Sequence, residues 1–274
     1  MTLGQAISAY LADPRFAKLR PASQTRMRRV LKKLAPLYGE EIGAIRRPVI
    51  ADMARGMTNG SKAEFLSAAS ALFARAVDEE WISANPVKGI AQPRLGSHRG
   101  WKDSEWAAFI RGATPPIRLT AMLARYTGQR RSDIVKMRLD HIEEIDGQRV
   151  IRVEQQKTGL KLAIPISPAL DLAIPAYTKS GFLLETEQGE PFDVGTLTHR
   201  FGRERMRLGL PKGLVIHGLR RTLAEKAVEQ GATIPEAMSL GGWTSIKTFQ
   251  GYIKGADQLR LATRAMRAMD PSPA

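Results

Sequence analysis

The residues best able to do chemistry stand in a fixed order along the chain. Arg130 lies in Thr127-Gly128-Gln129-Arg130-Arg131-Ser132-Asp133, and Lys157 in Gln156-Lys157-Thr158-Gly159. His217-Gly218-Leu219-Arg220 follows, then Trp243, then Tyr252 nine residues beyond the tryptophan. These residue types suit the breaking and rejoining of a phosphodiester. Negative charge grows on the non-bridging oxygens as a nucleophile attacks, and preorganised donors aimed at them lower the barrier. Arginine fits that task because its planar fork stays charged and can bond two oxygens at once. Arg130 and Arg220 are the candidates. A tyrosine has a free pKa of about 10 and is a weak nucleophile at neutral pH. It needs a positive site and a nearby base, which His217 can supply. Trp243 offers a single donor, its indole N–H.

Each piece has a plainer reading. A lone turn lysine is usually solvated, a tryptophan is usually core, and Arg130 could be a surface charge. Arg131 reads as a surface charge or a phosphate contact. Order and spacing carry the argument. Gly242-Trp243-Thr244-Ser245-Ile246-Lys247-Thr248-Phe249-Gln250-Gly251-Tyr252 resembles the G-H-S-S-x-x-T-T-x-x-Y stretch of the tyrosine recombinases, also called the phage-integrase family. The resemblance covers nearly the whole chain and is sharpest in its last 150 or so residues. Most family members carry histidine where Trp243 stands; tryptophan is a known variant.

The resemblance implies roles. Tyr252 would attack the scissile phosphate and form a 3′-phosphotyrosyl bond. Arg130 and Arg220 would clamp the phosphate, and His217 would manage the tyrosine proton. Lys157 would protonate the leaving 5′-oxygen, and Trp243 would orient and shield the site. Asp133 would buttress Arg130 from behind. The partner would be double-stranded DNA, held by a homotetramer on two DNA sites. The task would be integration, excision or resolution. No cofactor and no metal are expected. A type IB topoisomerase-like relaxation, or a DNA-binding protein without catalysis, are the alternatives.

Composition agrees with a polyanionic partner. The 274 residues carry a formal net charge of +15, which favours nucleic acid before membrane. Residues 1–100 hold 16 basic and 8 acidic side chains, and residues 101–274 hold 26 and 19. Two basic domains gripping one ligand would share charge in this way. There is no cysteine, which excludes disulfides and thiolate metal sites and fits a reducing cytoplasm. The histidines, His98, His141, His199 and His217, form no metal-ligand pair. No signal pattern opens the chain, and no apolar run is long enough to span a bilayer.

The elements that must position these groups follow from periodicity. Residues 1–92 read as mostly helical. The spacing of Met27, Val30, Leu31 and Leu34 predicts a helix from Ser23 to about Leu37. Arg26, Arg28, Arg29, Lys32 and Lys33 stud it with no acid among them, and Arg26, Arg29 and Lys33 share one face. A solvated face is the plain reading; phosphate contact is the favoured one. Ser61-Lys62-Ala63-Glu64 fits a capping box, opening a helix through Phe65, Leu66, Ala69, Leu72, Phe73, Ala76 and Val77. Asn85-Pro86 closes the helical region. Residues 93–100 read as a basic linker, with Arg94 and Arg99 as further DNA contacts. Residues 101–274 read as mostly helical with one β insertion. Arg149–Val153 and Lys161–Pro165 alternate like strands, leaving Lys157 in the connecting turn. Asp257–Met269 is a short amphipathic segment, and Pro271 to Ala274 is expected to fray. The fold class is therefore mainly α with a small β-hairpin or sheet insertion.

By resemblance, 1–92 would be a helical core-binding, SAM-like domain and 101–274 the catalytic domain. Together they would form a C-shaped clamp on a duplex. The tail after Tyr252 would either pack in cis or, as is frequent in the family, dock on a neighbouring protomer, with docking favoured. The chain starts almost directly with the core-binding-like part, so an Xer-like or Cre-like architecture without an arm-binding domain is expected.

Overall fold

The computed structural model describes residues 1–269, and the expectation for Pro271 to Ala274 lies outside them. The chain divides into two compact units, Met1–Ser97 and His98–Ala274.

The first unit is helical. It runs through α1 (Leu3–Ala12), α2 (Pro14–Ala17), α3 (Pro21–Leu31), α4 (Arg47–Met53) and α5 (Asn59–Asp78). Its core is built from Leu3, Leu31, Leu34, Ile50, Phe65, Leu66, Leu72 and Phe73, all fully buried. Two sequence boundaries move. The helix predicted from Ser23 starts at Pro21, with Arg20 in extended backbone before it, because proline pre-sets the first helical φ. Its last turns, Lys32–Leu37, are 3-10 and contain Pro36, which lacks the amide an α-helix would use. The predicted Ser61–Glu64 box is not the cap of α5. Thr58 caps it by accepting from the Ser61 amide, and Glu64 pairs instead with Arg29 at 2.9 Å.

The second unit holds α6 (Asp103–Gly112), α7 (Pro115–Thr127) and α8 (Arg131–Ile134). Then come the strands β1 (Ile142–Ile145), β2 (Gln148–Glu154) and β3 (Lys161–Pro165). They are followed by α9 (Pro168–Asp171), α10 (Val194–Arg207), α11 (Ile216–Gln230), α12 (Ile234–Gly241), α13 (Ile246–Ile253) and α14 (Gln258–Met269). The strands form one antiparallel sheet in the order β1-β2-β3. The hairpin of β2 and β3 matches the sequence reading. β1 was not expected. It turns into β2 at Asp146-Gly147, both with positive φ, the pattern of a tight hairpin turn. Trp101, Phe109 and Phe201 anchor the core with ring centroids 4.9 to 6.0 Å apart. Among the described residues no helix is long and apolar enough to cross a membrane.

The linker expected at 93–100 is only partly a linker. Its end is bonded to α11: Arg221 donates to the His98 carbonyl at 3.2 Å, and just past the linker the Trp101 amide donates to Thr222 Oγ1 at 2.7 Å. Gly218 makes the crossing possible. A Cβ there would lie 2.7 Å from the Arg99 carbonyl oxygen. Arg99 itself is committed to an ion pair with Glu105 at 2.5 Å, so its expected contact with DNA would have to compete with that partner.

Candidate active site

Helix α11 supplies two of the six candidate residues. Val215 is its extended N-cap, so His217 sits in the first turn and Arg220 one turn later on the same face. Gly128, in left-handed backbone at φ 63°, ends α7 and turns the chain so that Arg130 stands before the short α8. Gly242, at φ 68°, ends α12 and delivers Trp243 to the turn before α13. Ser245 caps α13 by accepting from the Thr248 amide, and Tyr252 lies near its end.

These segments converge. The Tyr252 hydroxyl lies 3.1 Å from His217 Nε2. The Trp243 and Tyr252 rings meet edge to face, centroids 5.3 Å apart. The Arg220 guanidinium carbon stacks 4.0 Å over Trp243 and lies 5.6 Å from the Tyr252 ring centre. Arg220 is wholly buried. One of its terminal nitrogens donates to the carbonyls of Gly128 and Gly241. Its Nε and Nη2, and Trp243 Nε1, are buried without a hydrogen-bond partner. Buried charged donors are seldom left unpaired unless a ligand uses them.

Positive charge prevails around this point. A cleft of about 590 Å³ is lined by Arg130, Arg131, Arg205, His98 and His217. Asp133 is the acid nearest Arg130, at 4.0 Å, and it is buried. Its stronger bond is to the Gln156 amide, 2.9 Å from Oδ1. Asp133 thus holds the hairpin turn through a hydrogen bond and faces Arg130 across 4.0 Å without one. Arg131 is exposed and touches Thr198 Oγ1 at 3.2 Å, in keeping with a surface residue open to an anion.

The environment sets protonation. Burial, then the charges of Arg220, His98, Arg130 and Arg131, pull the His217 pKa down to about 4. The ring is therefore neutral at pH 7 and can accept the tyrosine proton, provided its own proton sits on Nδ1. Burial lowers Arg220 to about 10, opposed by Tyr252 and assisted by Arg130; it stays charged at neutral pH. A histidine harder to protonate when folded gives full stability above its unfolded pKa of about 6.5. That contribution is lost as pH falls from there towards 4. The His217 residue is nonetheless exposed at the surface although its ring is crowded by neighbouring groups, so solvent screening softens the effect. We expect His217→Asn to flatten the decline in stability between pH 6.5 and 4.5, as read by denaturant melts of parent and variant. Parallel pH curves would show that the histidine is not depressed.

Lys157 lies in the turn between β2 and β3, exposed and without a hydrogen bond or ion pair among the described residues. The base of that turn is anchored by a residue sequence reasoning missed. Gln155 is fully buried. Its Oε1 accepts from Arg130 at 3.1 Å and from Thr158 Oγ1 at 2.8 Å. Its Nε2 donates to Gln129 Oε1 and to the Gly241 carbonyl, both at 2.8 Å. The one signal was its register: it continues the inward alternation of Ile151 and Val153 with a polar group where an apolar one belongs. His98, whose ring centre lies 6.3 Å from that of His217, gave no signal at all.

In the first unit Arg29 is held by Glu64 and Lys33 by Ser61 Oγ at 2.6 Å. Arg26 and Arg94 are exposed and make no side-chain hydrogen bond or ion pair among the described residues. Those described residues also hold no cluster of His, Asp and Glu that could ligate a metal.

Fold and site bring a tyrosine, a histidine, a tryptophan and two arginines together, and comparison with known proteins gives the family. The model of the phage integrase family matches residues 109–258, so the chain belongs to that family. It is 32% identical over 203 residues to the integrase of Escherichia phage HK022, covering 63% of this chain and 56% of that protein. It is 26% identical over 217 residues to the integrase of Salmonella phage P22, covering 70% and 53%. The chain thus spans about half the length of the curated relatives it matches. The fold resembles a crystal structure of a lambda integrase dimer bound to a COC′ core site, with a TM-score of 0.81 at 22% identity. That match covers 94% of this chain and 97% of the other. It also resembles a Tn1549 transposon integrase in complex with transposon right end DNA, at TM-score 0.78 and 16% identity, covering 99% and 100%.

Proposed function

We propose that this chain is a site-specific DNA recombinase that cuts and rejoins strands through Tyr252. The observation that carries the reading is the Tyr252 hydroxyl resting on a neutral His217 beside a buried guanidinium with unpaired donors. The Tyr252 oxygen attacks phosphorus, the P–O5′ bond breaks, and a 3′-phosphotyrosyl bond forms. The tyrosine proton passes to His217. Lys157 protonates the departing 5′-oxygen, and Arg130 and Arg220 hold the phosphate oxygens. The 5′-hydroxyl of a partner strand then attacks the phosphotyrosine and releases Tyr252. The bond energy is conserved in the link, so no nucleotide is consumed.

The same reading assigns the first unit as a core-binding domain on double-stranded DNA. A homotetramer acts on two sites; a lambda integrase of similar fold is seen as a tetramer bound to a Holliday junction. The chain works in the cytoplasm. α14 docks on a neighbouring protomer: Leu259, Met266 and Met269 expose 71%, 63% and 80% of their surface, and no residue of the helix is buried.

Covalent trapping on nicked DNA from the regions flanking the gene, with mapping of the joined nucleotide, tests the chemistry. Strand exchange between two mapped sites separates recombination from relaxation of supercoils. No adduct on any flanking sequence would remove the reading.

A second measurement concerns the basic face. Neutralising a phosphate contact flattens log affinity against log salt by about one unit. Arg26→Ala should show that full change, because Arg26 has no competing partner. Arg29→Ala should show less, because Glu64 already offsets part of its charge. Fluorescence anisotropy at several salt concentrations reads both. Unchanged slopes would leave the face merely solvated.

A further inference from the structure

We propose that Gln155 is a positioning residue that holds the Lys157 turn and the two phosphate-binding arginines in one register. The proposal rests on the recombinase reading above. A carboxamide has two donors and two acceptor sites, and all four of Gln155 are used. Thr158, one residue beyond Lys157, donates to its oxygen. Arg130 donates to the same oxygen. Its nitrogen donates to Gln129 and to the Gly241 carbonyl, and that same carbonyl accepts from Arg220 at 2.8 Å. One side chain therefore touches the turn that bears the proton donor and the arginine on one flank of the phosphate. Through a single shared carbonyl it also reaches the arginine on the other.

The surroundings leave no slack. Gln155 is fully buried. A Cβ on Gly242 would lie 2.7 Å from its amide nitrogen, so the C-terminus of α12 approaches as closely as glycine allows. The Gln156 amide bonded to Asp133 fixes the neighbouring peptide to the same segment. A saturated buried network resists displacement, because moving any member strands another polar group. Lys157 itself makes no bond among the described residues, so the geometry of its approach is set by the base of its turn. Misplacing a catalytic group by about 1 Å costs on the order of a hundredfold in rate.

The test separates proton donation from folding. Replacing the scissile 5′-oxygen by sulfur gives a thiolate leaving group that departs without a proton, so a misplaced Lys157 no longer matters. Two variants are compared with the parent at saturating DNA on the mapped site, with oxygen and with sulfur at that position. Thr158→Val removes a hydroxyl that donates to Gln155 and accepts weakly, at 3.4 Å, from the Leu160 amide, and it leaves the apolar core intact. It should slow covalent trapping by about tenfold on the oxygen substrate and by less than about twofold on the sulfur one. Gln155→Met should slow the oxygen substrate by about a hundredfold. Sulfur should recover part of that, the remainder reflecting the lost bond to Arg130. Thermal melting is followed in parallel. Trapping at the parent rate by Thr158→Val on the oxygen substrate would overturn the proposal. So would equal deficits on both leaving groups for both variants. If the parent forms no adduct on either substrate, the recombinase reading itself fails.

Discussion

Tyr252→Phe is expected to abolish covalent capture of DNA while leaving binding within about twofold. The substitution removes the attacking oxygen and nothing else of size. The phenyl ring keeps its edge contact with Trp243, whose centroid lies 5.3 Å away, and its place in the small cluster with Phe249. The lost bond to His217 joins two groups open to solvent, so its removal costs little stability. Both proteins are incubated with nicked DNA in excess EDTA and resolved on a denaturing gel. The parent should form adduct there, because guanidiniums take the place a cation holds in metal-assisted phosphoryl transfer. An adduct that persists in the variant would move the nucleophile elsewhere. Tyr126 packs against Trp106, and Tyr177 is 76% exposed.

Arg220→Met should lower the trapping rate by at least about a hundredfold, the scale for loss of a preorganised charge donor. Affinity for DNA should change little, since most of the contact free energy comes from many other phosphates. Stability makes this prediction sharper. A buried guanidinium with two unpaired nitrogens is a cost to the fold, because desolvation of the charge is only partly offset. Against that stand its bonds to Gly128 and Gly241 and its stacking on Trp243. Methionine keeps the volume and relieves the charge. The melting temperature should stay within a few degrees of the parent, where about 1 kcal/mol corresponds to a few degrees for a domain of this size. Intact rate with a lowered melting point would make Arg220 a structural residue and leave Arg130 alone at the phosphate.

Much of the site was legible because the chemistry restricts residue type. Few side chains can attack phosphorus, clamp its oxygens or move the two protons, so their order along the chain was informative without a fold. The hairpin around Lys157 was legible because strands alternate: Ile151 and Val153 are buried with exposed Arg152 and Glu154 between and after them, although Val150 is buried as well. β1 escaped notice although Asp146-Gly147 announces a tight turn; Ile142–Ile145 shows no burial alternation of its own. Boundaries shifted where two local signals competed. Thr58 captured the cap of α5 a turn before Ser61, and Glu64 was drawn to Arg29.

What the sequence determined by itself is the inventory: which candidate nucleophile, which candidate base, which charged side chains, and that the chain carries far more positive than negative charge. These follow from residue identity and hold in any conformation. Tertiary structure alone decided the state of each group. The His217 pKa is lowered by crowding of its ring away from water and then by the charge of three arginines, which lie 3, 86 and 87 positions away. Arg220 keeps free donors because Gly128 and Gly241 occupy only one of its nitrogens. Arg99 reads as a DNA contact in the sequence and is paired with Glu105 in the fold. Gln155 matters because Gln129, Arg130, Thr158 and Gly241 reach it from separate segments. Desolvation and Coulomb energy depend on distance through space, and a linear chain does not specify those distances until it has packed.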